Sequence, residues 1–415
     1  MLRLVETFSG LGSQAKALKN IGIDFEVVKT AEWDITAIIA YCLIHKGKID
    51  IHPYDDVEEE KINLELSKYT LSIDGKSPIK ESSLKRLPIH LKKVILAAIK
   101  ETNNLVNIQD VKGKDIPDNI DLLTYSFPCQ DLSACAFWHG NKSGISREAN
   151  NRSGMLWEIE RILIEMNTNN QKLPRFLLME NVTNILSRQN RENFNEWKNV
   201  LESLGYYNQV YSLKASDFGI PQKRKRTYMI SVLCESNNRN LIKKFFEEHN
   251  LQNNLEEIKR LKRRDISLED ILKLDYEIDS YRLEANNNRP NNTSSRRKIY
   301  LDNDLLFDGK KINNINVKTL TTKQDRNPNS GLIEMNDCVE GKANFRYLTP
   351  RECFLLMGFE EKDYQILIEN NFDLTKSRKV FSNGKLIKLA GNSIVVDVLE
   401  VIFKQILELD ELIKK

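Results

Sequence analysis

Cys129 stands just past the apolar run that opens "DLLTYSFPCQDLS", at residues 121 to 133. A thiol at the carboxyl end of a strand can act as a nucleophile once ionised. Pro128 fixes one backbone angle and offers no amide hydrogen, so the thiol enters on a rigid turn that Gln130 and Ser133 can anchor. Glu180 and Asn181 close a second apolar run, "FLLMENV", and the basic stretch "PQKRKR" leads into a third, from Tyr228 to Leu233. Taken singly these are a buried inert thiol, a solvated acid or helix cap, and a solvated basic turn. Taken together they are a thiol, a carboxyl and a guanidinium near strand ends of one sheet, where open α/β sheets place their ligands.

A second constellation follows the first strand. In "FSGLGSQA", Gly10, Gly12 and Ala15 satisfy the dinucleotide fingerprint, and Glu32 lies where a ribose-binding acid belongs. An NAD-dependent oxidoreductase is one reading, and glycines serving turn geometry alone are another. Phe8 and the "EWD" of Glu32, Trp33 and Asp34 favour an adenosine without pyrophosphate: an acid for ribose hydroxyls beside an aromatic wall suits S-adenosylmethionine.

The elements that must position these residues read as α/β. Runs at Leu2 to Val5, Asp121 to Ser126, Phe176 to Met179 and Tyr228 to Leu233 have the composition of strands in a parallel sheet. Met155, Leu156, Ile159, Ile162, Leu163 and Met166 recur at helical spacing, as do Phe194, Trp197, Leu201 and Leu204 before Gly205. Residues 50 to 105 form a charged, mostly helical insertion with no recognisable chemistry. From about 235 the composition shifts to Asn, Lys and Glu, "EANNNRPNNTSSRRK" at 284 to 298 reads as a loop, and 317 to 333 as strand and turn. An amphipathic helix from Val395 through Ile406 returns to the first domain.

At 415 residues, with 40% hydrophobic and 29% charged residues, the chain has the size of two domains and a globular composition. Its six cysteines form no CxxC pair, which argues against a zinc site or a disulfide framework, so no metal is expected. A net charge of only +3 leaves a polyanion to local clusters, at 223 to 226 and at Arg289 with Arg296, Arg297 and Lys298. The longest mostly apolar run, Ile35 to Ile44, is too short to cross a bilayer, which implies a cytoplasmic protein.

In motif order the chain resembles the cytosine-5 DNA methyltransferases, most closely mollicute-type bacterial enzymes. The shared text is "FSGLG", "EWD", "QDV" with Asp110, "PCQDLS", "RSGMLW" from Arg152, "ENV", "QKRKR", "RYLTPRECFLLMGF" from Arg346, and "GNSI" from Gly391. The resemblance implies a Rossmann-like S-adenosylmethionine-dependent sheet domain over 1–234 plus 386–415, and a smaller, mostly irregular or β target-recognition domain over 235–385. It implies Cys129 as nucleophile, Glu180 at ring nitrogen 3 of cytosine, Arg226 at the exocyclic oxygen, and Arg224 and Gln222 as braces. For the cofactor it implies Phe8, Gly10, Gly12, Glu32, Trp33, Asp110, Pro128, Asn392 and Ser393; for DNA it implies Ser133, Cys135, Arg152 and Thr319. Gln324 and Arg326 are the candidate base readers. Cys135 and Ala136 stand where relatives carry a small polar residue and a glycine. The implied partner is double-stranded DNA, bound by a monomer, with a cognate restriction endonuclease in the same system. A tRNA-cytosine methyltransferase is the alternative within the same catalytic motifs.

Overall fold

The structure is a computed structural model and describes residues 1–128, 145, 147, 152–235, 237–327 and 329–414. Cys129, Ser133 and Cys135 lie outside the described residues, as does the side chain of Arg152.

A six-stranded sheet organises the first part of the chain, in the order β2-β1-β3-β4-β6-β5. Its strands are β1 (Leu2–Thr7), β2 (Phe25–Ala31), β3 (Leu122–Tyr125), β4 (Phe176–Val182), β5 (Tyr206–Lys214) and β6 (Lys225–Leu233). β1 pairs in parallel with β2 and β3, and β3 in parallel with β4. β6 runs antiparallel to β4, a correction to the all-parallel reading: Phe176 faces Val232 and Val182 faces Arg226. Apolar runs do not encode direction, so the sequence could not show this reversal. β2 and β5 were missed because both are edge strands, only half buried, and lack a continuous apolar run. β3, by contrast, is buried at every position.

The helical periodicities are met by the helices Leu156–Thr168 and Arg191–Ser203. Their apolar faces join Val5, Leu123, Tyr125, Leu177 and Met179 in one core, with Trp197 donating its indole N–H to the Tyr125 hydroxyl at 3.1 Å. Gly205, at φ 93°, ends the second helix in the left-handed conformation expected of a glycine at that place.

Two compact units divide the chain. The first comprises Met1–Leu213, Lys225–Leu261 and Leu399–Lys415; the second comprises Lys214–Arg224 and Lys262–Val398. These boundaries differ from the 1–234 plus 386–415 and 235–385 that the family resemblance implies. Residues 235–261 belong to the first unit because Phe246 stacks on Tyr207 and meets Tyr211 edge-on, both on β5. Residues 386–398 and 214–224 group with the second. That unit holds a small sheet of β7 (Leu305–Phe307), β8 (Leu332–Glu334) and β9 (Phe345–Tyr347), and is more helical than expected. The segment read as a loop at 284–298 includes the end of the helix Asp279–Asn287 and the start of Ser294–Asp302. Around it, Arg346 and Glu352 form a buried bidentate ion pair with both contacts at 2.8 Å, and Thr349 caps the helix Pro350–Leu356.

Candidate active site

The turn after β1 is built on two left-handed residues beside an equally unusual aromatic. Phe8 has φ 55°, Gly10 φ 53° and Gly12 φ 73°. For Phe8 this conformation is costly, and its half-buried ring packs against the core. At Gly12 a side chain is excluded by space as well as by φ, since a Cβ there would stand 2.2 Å from His45 Nε2 and 2.5 Å from the Tyr41 ring.

Three amides of this loop and helix start have acceptors. Gly10 N–H donates to Glu32 Oε2 at 3.1 Å, Gly12 N–H to Ser9 O at 2.7 Å, and Ala15 N–H to Glu6 Oε1 at 3.1 Å. Two of these acceptors are carboxyls, so a pyrophosphate placed on this helix N-terminus would lie beside acidic groups. An adenosine without pyrophosphate avoids that juxtaposition. Glu6 is fully buried and bonded to the Tyr41 hydroxyl, and burial pushes it up to about 7. Burial, reinforced by the charge of Asp34, does the same for Glu32.

Glu32 is held from a distance in sequence. Asn104 accepts from the Glu32 N–H at 3.0 Å and donates to its carbonyl at 2.9 Å; Ser72 N–H donates to the Trp33 carbonyl at 2.8 Å. The insertion at 50–105 therefore braces the backbone of the "EWD" segment, a role that no local pattern announced. Asp34 in turn caps the helix Ile35–Lys46, accepting from Thr36 N–H at 3.0 Å. Asp110 is exposed and accepts from Asn107 Nδ2 at 3.1 Å. Glu32, Phe8 and Trp33 are each half-buried and Asp110 is exposed.

The strand ends of β1, β3 and β4 meet beside this loop. The Ser126 hydroxyl donates to the Phe8 carbonyl at 3.4 Å. Buried Asn181 donates from Nδ2 to the Phe127 carbonyl at 3.0 Å, tying β4 to the turn that enters Pro128. Glu180, also buried, follows Met179, the register partner of Tyr125, and its Oε1 lies 3.4 Å from Arg226 Nε. The structure thus brings Glu180, Asn181, Arg226 and the Phe127-Pro128 turn together within the first unit.

Gln222 and Arg224 are in the second unit and serve its backbone. Arg224 donates to the carbonyls of Leu320 (2.9 Å), Gly391 (3.1 Å) and Ser393 (2.9 Å), and Gln222 donates to Leu356 O at 3.0 Å while accepting from Leu320 N–H at 2.9 Å. Asn392 is exposed and ends the helix Asn383–Asn392; it does not cap the helix that follows, from Val396. Ser393 is buried with its hydroxyl on Leu389 O at 2.9 Å. Thr319 donates to Lys223 O at 3.4 Å, Arg326 is exposed, and Gln324 is buried. Among the described residues His249, Glu257 and Glu408 form one metal-like trio, whose two carboxylates accept from the Arg260 guanidinium at 2.6 and 2.7 Å, so that it supplies the positive charge a cation would bring.

Comparison with known proteins places these observations in a family. Residues 92–408 match the model of the C-5 cytosine-specific DNA methylases. The orphan methyltransferase M.SssI of Spiroplasma monobiae is 36% identical over 98% of this chain and 97% of its own length. The type II methyltransferase M2.ScrFI of Lactococcus lactis subsp. cremoris is 32% identical over 98% of this chain and 99% of its own. In fold, the chain is similar to the Dnmt2 methyltransferase of S. pombe, with a TM-score of 0.57 at 19% identity, covering 98% of this chain and 99% of that one.

Proposed function

The chain belongs to the C-5 cytosine-specific DNA methylase family and is a DNA (cytosine-5-)-methyltransferase; from that premise we propose that it methylates carbon 5 of a flipped-out cytosine in a specific short duplex sequence, through a covalent adduct on Cys129. The observation that carries the reading is the meeting of strand ends: Asn181 on the Phe127 carbonyl, Glu180 beside Arg226, and Ser126 on the Phe8 carbonyl of the cofactor loop. This arrangement supports a reacting base held between the entry to Cys129 and the ribose-binding turn.

S-adenosyl-L-methionine supplies an electrophilic methyl group on sulfur. Carbon 5 of cytosine is a poor nucleophile while its electrons belong to the ring. The Cys129 thiolate adds to carbon 6, breaking the 5,6 double bond and giving an enamine. Carbon 5 of that enamine is the atom that would accept the methyl group that bound S-adenosylmethionine would supply. Loss of the carbon-5 proton to a water molecule and expulsion of the thiolate restore the double bond. Glu180, buried, holds a proton at ring nitrogen 3 while negative charge enters the ring. Arg226 contacts the exocyclic oxygen and keeps Glu180 in place. Phe8 and Trp33 would flank the adenine of S-adenosylmethionine, Glu32 would accept from the ribose hydroxyls and Asp110 from the adenine amine; the family resemblance assigns Asn392 and Ser393 to the methionine portion.

The target must leave the stack, at a cost of a few kcal/mol. Ser133, Cys135 and Arg152 contact the DNA around the vacated position, while Thr319, Gln324 and Arg326 belong to target recognition. We place the enzyme on DNA in the cytoplasm as a monomer. Among the described residues no helix is long and apolar enough to cross a membrane. The type II name of the Lactococcus relative supports a cognate restriction endonuclease, and the orphan name of the Spiroplasma relative supports an enzyme acting alone.

Duplex carrying 5-fluorocytosine at the target should form a denaturation-resistant adduct with the wild type and none with Cys129→Ser. An equal adduct in both would remove Cys129 from the chemistry. Tritiated S-adenosylmethionine offered with duplex DNA and with tRNA should label the duplex; label in tRNA alone would favour the RNA enzyme. Bisulfite sequencing of DNA from an expressing host gives the recognition sequence.

A further inference from the structure

Gln324 lies in the second unit, in the segment between Leu320 and β8, and is only 3% exposed. Neither its Oε1 nor its Nε2 has a hydrogen-bond partner. Among the described residues it is the one buried side chain with both ends of an amide left unpaired. Its surroundings are otherwise well satisfied. The backbone carbonyl of Lys323 accepts from Thr321 Oγ1 at 2.6 Å, that of Gln324 from Asn329 Nδ2, and that of Asp325 from Arg296 Nη1. Three consecutive carbonyls are thus clipped by side chains around one amide that has nothing. The base of the segment is held as well: a Cβ at Gly391 would stand 2.6 Å from the Thr321 carbonyl oxygen.

A buried amide without partners is disfavoured against an apolar side chain of the same shape. Such a group gives the free protein nothing, and it can turn outward without breaking any intramolecular hydrogen bond. Lys323 and Arg326, both exposed, flank it with positive charge suited to phosphates. A carboxamide presents one donor beside one acceptor. That pattern is complementary to a purine edge, either N6–H with N7 of adenine in the major groove or N2–H with N3 of guanine in the minor groove.

We propose that Gln324 is a specificity-determining residue, whose carboxamide is held unpaired in the free enzyme and binds one purine edge of the target duplex. The inference rests on the DNA-methylating activity proposed above. Its test is Gln324→Met, which keeps length and removes both polar atoms. Bisulfite sequencing with the variant should show discrimination at one purine position falling about tenfold to a hundredfold, while its thermal unfolding midpoint equals or exceeds that of the wild type. Duplexes with 7-deazaadenine or with inosine at that position separate the two edges: one of them should slow the wild type and leave the variant indifferent. A variant that melts well below the wild type would make the amide a structural element. One that melts normally and discriminates as the wild type does would leave it no role. Either result overturns the proposal. A wild type that labels no duplex at all fails in a different arm, and would remove the activity and with it the partner for Gln324.

Discussion

Arg224 and Arg226 stand two residues apart in one basic run, yet their surroundings give them opposite duties. Arg224 is buried and its guanidinium satisfies the carbonyls of Leu320, Gly391 and Ser393. Arg224→Met keeps most of the stem and strips these three carbonyls of their donor. Each buried polar group left unpaired costs about 1–3 kcal/mol, and with partial relaxation of the site the three carbonyls together cost about 3–5 kcal/mol. For a unit of this size that lowers the melting midpoint by on the order of 10 °C. Arg226 instead faces the Glu180 carboxyl at 3.4 Å. Arg226→Met should melt near the wild type but lose turnover by about 10²–10³-fold, as when a donor to a developing charge is removed. Calorimetry on each variant, with single-turnover methyl transfer measured well below the lower midpoint, separates the two. An Arg224→Met protein that melts normally but is inactive, or an Arg226→Met protein that melts far below the wild type, would refute the division of labour.

Three further outcomes are expected. Glu180→Gln should depress turnover by about 10²-fold or more and leave S-adenosylmethionine affinity, measured by calorimetric titration, nearly unchanged; the reverse pattern would place Glu180 in the cofactor site. Gly12→Ala forces a left-handed backbone on a residue with a Cβ, costing about 1–2 kcal/mol, and pushes against His45 and Tyr41, so cofactor affinity should fall more than turnover at saturating cofactor. Glu6, raised by burial to about 7, lends stability that is complete below its ordinary value and lost as pH rises toward 7. Glu6→Gln should therefore gain on the wild type between those limits, by about 3 kcal/mol at the alkaline end. The difference between the two proteins isolates Glu6 from Glu32, which titrates in the same window, and from His45, whose burial lowers it to about 4 and gives the opposite slope. Parallel pH–stability curves for the two proteins would contradict the assignment.

The candidate site was legible in the chain because the residues proposed for it lie next to short apolar runs, and such runs are local signals. Composition and periodicity were enough to identify β1, β3, β4 and β6, the two helices around Trp197, and the strand ends carrying Phe8, Pro128, Glu180 and Arg226. Only the tertiary structure decided the direction of β6, the edge strands β2 and β5, and the grouping of 235–261 with the sheet through Phe246. It also decided which polar residues are structural. Asn104 reaches Glu32 across 72 residues, and Arg224 reaches Leu320, Gly391 and Ser393 across 96 to 169. Hydrogen-bond partners at such separations leave no trace in spacing, because they are chosen by how the chain folds back on itself and not by the pitch of a helix or the alternation of a strand.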